Sequence, residues 1–176
     1  MRPIFIPDDV QEKFNADPNN KNLPLTIQNA YQSLNKGPVD VSVVMPAYNE
    51  EKNILQTLWS LCENQTQWSV EIIVVDNNSK DNTAEKVKSC GIPCHFEPIQ
   101  GITQARNSGL ALAKGKYILN ADADTIYPKG WIEHMVNPLA KNNRYALTYG
   151  NFAFIPIGNT GRVTYFFYEF LADFSR

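Results

Sequence analysis

The stretch Val70-Glu71-Ile72-Ile73-Val74-Val75-Asp76 is β-branched and apolar through its middle and ends on an acid. Two other stretches have the same form. Val41-Ser42-Val43-Val44-Met45 stops at Pro46, and Lys116-Tyr117-Ile118-Leu119-Asn120-Ala121 stops at Asp122. A strand with one wet face alternates apolar and polar residues. Near-continuous apolar strands belong instead to a parallel sheet covered on both faces. Cys94 to Glu97 and Arg144 to Asn151 read as two further strands.

Helical periodicity fills the intervals. Ile54, Leu55, Leu58, Leu61 and Cys62 form one apolar stripe. Ala84 and Val87 mark a shorter helix, opened by Asn82 and Glu85 at capping-box spacing. Ile102, Ala105, Gly109 and Leu112 form a third stripe, and Trp131, Ile132, Met135, Val136 and Leu139 a fourth. The alternation predicts an α/β fold: an open, mostly parallel, Rossmann-like sheet with helices on both faces and right-handed crossovers. Such sheets bind ligands at the carboxyl ends of their strands, where Pro46, Asp76 and Asp122 fall.

Residues 1–39 read as an N-terminal extension. Asp17-Pro18-Asn19-Asn20-Lys21-Asn22 is a linker of turn residues. Ile27, Ala30, Tyr31 and Leu34 then predict a helix that Gly37-Pro38 stops. Residues 40–155 form the main domain, and 156–176 open a further region with an amphipathic helix.

At 176 residues the chain suits one domain, and its 43% hydrophobic content rules out wholesale disorder. Sixteen basic residues face eighteen acidic ones without a basic cluster, which argues against nucleic acid as a partner. The longest apolar run is four residues, far short of the roughly 20 that span a bilayer. The N-terminus lacks the apolar core of a secretory signal. Cys62, Cys90 and Cys94 are odd in number and form no CxxC pair, which points to reduced thiols and a cytoplasmic location. Cys90, Cys94 and His95 fall short of the four tightly paired ligands of a zinc site.

Four motifs carry chemistry. In Asp122-Ala123-Asp124, residues i and i+2 of an extended segment share a side. Two such carboxylates repel unless a cation or proton sits between them, and oxygen-only ligands suit Mg²⁺ or Mn²⁺. The plainer reading is a solvated acidic turn. In Pro46-Ala47-Tyr48-Asn49-Glu50, the aromatic can stack on a nucleobase and Asn49 or Glu50 can reach a ribose. Taken alone, the plainer reading is a proline turn with Asn49 capping the following helix. Asp76-Asn77-Asn78-Ser79 offers a carboxylate to a base N–H, favouring uracil or guanine, or forms an Asx turn. Gly101 to Gly109 places Arg106 on a mostly uncharged helix, where it pairs with a carboxylate such as Asp76 or with a diphosphate.

Together these motifs, in this order between Val41 and Trp131, resemble the family 2 glycosyltransferases of the GT-A fold. The resemblance implies a nucleotide-diphospho-sugar donor, UDP- or GDP-linked, and a saccharide or lipid-linked acceptor. It implies that Pro46, Tyr48, Glu50 and Asp76 line the nucleoside pocket and that Arg106 lies near the nucleotide. Asp122 would sit by the ribose and metal, and Asp124 would bind the Mg²⁺ or Mn²⁺. Transfer would invert the anomeric centre. Two alternatives compete: a haloacid-dehalogenase-type phosphatase with Asp122 as nucleophile, and a non-catalytic nucleotide-sugar-binding module.

The resemblance supplies no general base. Downstream of Asp124 only Glu133, Glu169 and Asp173 are acidic, and none sits in a recognisable motif, so the expectation is a chain lacking its acceptor half. Val163, Phe166, Phe167, Phe170, Leu171 and Phe174 follow helical spacing and require a partner surface. That surface is this domain, the missing half, or a peripheral contact at the inner face of a membrane. Glu169 and Asp173 on the polar side, where lysines would be wanted, count against the membrane.

Overall fold

The computed structural model describes residues 5–155, 161–166 and 169. Four strands form one sheet: β1 (Val41–Ala47), β2 (Val70–Asp76), β3 (Cys94–Phe96) and β4 (Tyr117–Asn120). All neighbours run parallel, in the order β3-β2-β1-β4. The helices are α1 (Asp8–Phe14), α2 (Leu23–Leu34), α3 (Ile54–Cys62), α4 (Thr83–Ser89), α5 (Ile102–Leu112) and α6 (Trp131–Lys141). The strand order therefore advances from β1 to β3 and then reverses across β1 to β4.

That reversal explains why the central strands β1 and β2 are covered on both faces, whereas Ile118 of the edge strand β4 stays exposed. Right-handed crossovers put the connecting helix on the opposite face once the direction changes. Val41, Val43 and Met45 of β1 join the main core with Ile54, Leu58 and Leu61 of α3. On the other face Ile73 and Val75 of β2 pack with Ala105 of α5. A Cβ on Gly109 would come within 2.4 Å of Val44 Cγ1, so this glycine lets α5 lie directly on β1. Ile102 and Leu112, at the ends of the same predicted stripe, are largely exposed.

Pro46 sits in a central strand without breaking it. Val41 N–H and the Ala47 carbonyl bond toward β2, whereas the Asp40 and Val44 carbonyls bond toward β4. Position 46 belongs to the β4 side, beyond the last bond, from Ala121 N–H to Val44. A residue lacking an N–H costs no ladder bond there.

The segment before residue 40 contributes to the core rather than standing outside it. Leu23, Ile27, Tyr31 and Leu34 of α2 are buried in the main cluster, and Tyr31 Oη accepts the Ile72 N–H at 3.4 Å. α1 docks on α3 through Lys13, buried and 2.6 Å from Glu63. The three thiols are free.

Two expected local features are absent. Asn82 and Glu85 form no capping box: Asn82 makes no side-chain cap, and its N–H donates to Glu51 Oε2 at 2.8 Å. Arg144 to Asn151 is not a strand. An Asx turn at Asn142 takes the Arg144 N–H, and Thr148 Oγ1 donates to the Met135 carbonyl at 2.8 Å. The segment is thereby held along α6 rather than along β4. The predicted C-terminal helix is helical over 162–166 and at Glu169, while Phe167, Phe170, Leu171 and Phe174 lie outside the described residues. No helix among the described residues is long and apolar enough to cross a membrane.

Candidate functional site

The carboxyl ends of β2, β1 and β4 are neighbours, so Asp76, Tyr48 and Asp122 leave the sheet along one edge. Register fixes this, with Ala47 opposite Asp76 and Val44 opposite Asn120. Open parallel sheets carry their ligand crevice where the strand order reverses, which here is at β1.

The loops after β1 and β2 are tied to each other. Asn49 N–H donates to Ser79 Oγ at 3.0 Å, and Asn49 Oδ1 accepts the Lys80 N–H at 2.8 Å. Glu50 N–H donates to Thr83 Oγ1 at 2.8 Å, and Glu51 N–H to Asp81 Oδ2 at 3.1 Å. Burial pushes the Asp81 carboxyl up, but bonds from Thr83 and the Glu51 N–H outweigh it and hold it below its usual range. Asn49 and Asn78 take left-handed conformations, at φ 56° and 63°. Asn49 thus caps the opposite loop rather than α3. The Glu50 carboxylate accepts Asn53 Nδ2 at 2.8 Å.

Asp76 is buried at 6% exposure, and its Oδ1 accepts only a long bond, 3.3 Å from the Ser79 N–H. Tyr48 is 46% exposed beside it on the neighbouring strand end. Asn77 was not singled out from the sequence, yet it joins three elements. Its N–H donates to the Ala47 carbonyl at 2.8 Å. Its Nδ2 donates to Ile99 and Glu97 carbonyls at 2.8 and 3.3 Å, and its Oδ1 accepts the Gly101 N–H at 2.7 Å. Gly101 stands at φ 145°, where only glycine is at ease, and opens α5.

The acidic loop is held from below. Thr57 Oγ1 donates to the Ala123 carbonyl at 2.9 Å, and Ser60 Oγ accepts the Tyr127 N–H at 3.0 Å. Tyr127 Oη accepts the Asp122 N–H at 2.7 Å. Burial pushes the Tyr127 phenol far above its ordinary range, so it stays protonated. Thr57 and Ser60 were legible in principle as buried hydroxyls on an otherwise apolar helix face. Ala123 is buried at 5%, whereas Asp122 and Asp124 on either side are exposed.

Arg106 meets Asp122 rather than Asp76: its Nη2 lies 3.6 Å from Asp122 Oδ1. Glu133 is engaged elsewhere, accepting Thr66 Oγ1 at 2.6 Å, Gln67 Nε2 at 3.0 Å and Asn137 Nδ2 at 2.9 Å. Glu169 is buried against Arg162 at 2.8 Å and takes the Phe154 N–H at 2.6 Å. Asp173 lies outside the described residues. A cavity of about 400 Å³ between α2 and the end of α3 is remote from these groups.

Asp122 and Asp124 offer oxygen donors only, and no cluster of three or more His, Cys, Asp or Glu forms among the described residues. Two carboxylates with open remaining positions fit Mg²⁺ or Mn²⁺, which keep places for water and phosphate oxygens. They do not fit zinc, which wants nitrogen or sulfur.

An open parallel sheet that reverses its order at β1, with an aromatic, a buried carboxylate and an acidic pair at the strand ends there, has the GT-A architecture of nucleotide-sugar enzymes. The chain belongs to glycosyl transferase family 2, whose family model matches residues 42–174. It is 34% identical over 119 residues to the UDP-Glc:alpha-D-GlcNAc-diphosphoundecaprenol beta-1,3-glucosyltransferase WfgD of Escherichia coli, covering 65% of this chain and 46% of that protein. It is 31% identical over 133 residues to the glycosyltransferase GlyG of Streptococcus pneumoniae, covering 67% and 44%. The chain thus spans less than half the length of these relatives. The crystal structure of S. aureus TarS with UDP superposes with a TM-score of 0.53 at 27% identity, over 60% of this chain and 33% of that one. Family membership removes the phosphatase alternative.

Proposed function

We propose that residues 40–155 are the donor-binding unit of an inverting glycosyltransferase that uses a UDP-linked sugar, with residues 156–176 opening the acceptor side. The carrying observation is the convergence of Tyr48, Asp76 and Asp122 at the ends of adjacent parallel strands. TarS with UDP and TarS with UDP-GlcNAc, at 27% and 26% identity, support uridine over guanine.

In this reading Tyr48 stacks on the base against Pro46, and Asp76 accepts a base N–H with the oxygen its loop leaves free. Glu50 borders the ribose. Asp122 and Asp124 hold Mg²⁺ or Mn²⁺. The bound ion supplies positive charge that stabilises the departing diphosphate. Arg106 adds a second cation on the phosphate side. The acceptor hydroxyl displaces the diphosphate from the opposite face of the sugar and loses its proton to a base. We assign that base to none of the described carboxylates, since Glu133 and Glu169 are both engaged. The name of WfgD favours a lipid-linked acceptor, which would bring the transfer to a membrane surface.

Calorimetry tests this reading. UDP should bind in the presence of Mn²⁺, and Asp124→Ala should abolish the metal-dependent part. UDP binding that ignores both Mn²⁺ and Asp124 would overturn it. Turnover of UDP-sugar by the full-length protein, with the product's anomeric configuration read by NMR, separates an enzyme from a non-catalytic binding module.

A further inference from the structure

Arg106 is an under-used cation. Its side chain is about one-third exposed on α5, and its one ion pair among the described residues is 3.6 Å long, to Asp122 Oδ1. That distance makes an ion pair but exceeds a good hydrogen bond. Its Nε is buried without a partner among the described residues. A guanidinium carries five donors in a planar fork suited to bidentate anions, so most of its capacity is idle here. Asp122 and Asp124, meanwhile, flank one buried alanine and repel each other.

We propose that Arg106 is a placeholder cation. In the donor-free chain it neutralises Asp122, and when a nucleoside diphosphate arrives with its divalent ion it moves from Asp122 to the phosphate oxygens. This rests on the reading of Asp122 and Asp124 as the site of the ion and the diphosphate. It follows that Arg106 opposes binding of the ion alone, because it occupies Asp122 and repels a second positive charge. With the diphosphate present the same group becomes favourable. Ion and nucleotide therefore each raise the other's affinity, reciprocally, through one side chain.

A merely supporting arginine would weaken both ligands when removed; a placeholder moves them in opposite directions. Binding of Mn²⁺ alone is read from the free-ion paramagnetic resonance signal, and binding of UDP with saturating Mn²⁺ by calorimetry. For Arg106→Gln we expect Mn²⁺ alone to bind about fivefold tighter. UDP with Mn²⁺ should bind about tenfold weaker. Arg106→Lys restores the charge, so Mn²⁺ alone should return to wild-type affinity while UDP stays weak for want of the planar fork. The proposal is overturned if Arg106→Gln leaves Mn²⁺ affinity unchanged, or lowers it together with UDP affinity. If the wild type binds UDP in an Asp124-dependent way and Arg106→Gln behaves like it, the proposal fails and the site reading stands. If the wild type binds neither ligand, both fail.

Discussion

The two halves of the strand-end crevice are built on opposite plans. On the β1–β2 side the loops are cross-tied: Asn49 to Ser79 and Lys80, Glu50 to Thr83, and Asn77 to three elements. On the β4 side the backbone is pinned by Thr57, Ser60 and Tyr127, but the two carboxylates above it are left to solvent. One side spends its polar groups on its own shape, and the other keeps charge in reserve. A neutral, planar base is recognised by fixed geometry, whereas a diphosphate and its ion are recognised by charge. The difference predicts that mutations on the acidic side change binding while sparing the fold, and that mutations on the tied side do the reverse first.

The largest effect should come from Asp124→Ala. It removes half of an exposed, self-repelling pair, so the melting temperature should hold or rise slightly. Metal-dependent UDP affinity should fall by about 100-fold, the scale of losing one charged ligand. Calorimetry and a thermal melt on the same sample read both numbers. A drop in melting temperature comparable to a core mutation would erase the contrast between the two sides.

Asn77→Ala attacks the tied side. It leaves the Glu97 and Ile99 carbonyls and the Gly101 N–H without their partner in a nearly dry setting, where each unmet group costs roughly 1–3 kcal/mol. Water reaching the vacated space recovers part, so we expect about 3 kcal/mol less stability in urea titration. Weaker UDP binding should follow as the start of α5 loosens. Gly109→Ala should cost about 1–3 kcal/mol by overpacking, because the added methyl would meet Val44 at 2.4 Å and Val75 at 3.1 Å. Both variants reach the ligand only through the seat of α5, so nucleotide binding should suffer more than binding of Mn²⁺ alone.

Legibility in the sequence divides along similar lines. The apolar runs ending at Pro46 and Asp76 revealed the central strands, because burial on both faces leaves an unbroken compositional trace; the run ending at Asp122 is the edge strand β4, where Ile118 is exposed and Leu119 buried. Asn82 and Glu85 carried a local capping signature, yet Glu51, 31 residues away, took the N–H. Arg106 showed that it needed a partner without showing which strand end α5 would overhang. Asn77 gave no signal, since its three partners lie more than 19 residues downstream. The expected strand at Arg144 to Asn151 failed because β-forming composition says nothing about an Asx turn and a threonine bond that claim the segment for α6. Patterning thus reports what is buried; it does not report which polar group reaches which.

The smallest effect concerns how the acidic side is anchored behind the loop. Glu133 on α6 accepts bonds from Thr66, Gln67 and Asn137, and the Thr66 hydroxyl is the chief reason its carboxyl sits below the usual value of 4.5. A lowered folded pKa means that the unfolded chain takes up the proton first on acidification. The contribution is therefore full above about pH 4.5 and is lost as pH falls through the folded value. The group is partly solvated, so it is worth under about 1 kcal/mol. Glu133→Gln keeps the amide oxygen as an acceptor but cannot titrate. Its urea midpoint should sit slightly below wild type near neutrality and converge with it in acid. If the two curves stay parallel across that range, the α6 anchor does not depend on the carboxylate charge, and both sides of the crevice are held by uncharged bonds alone.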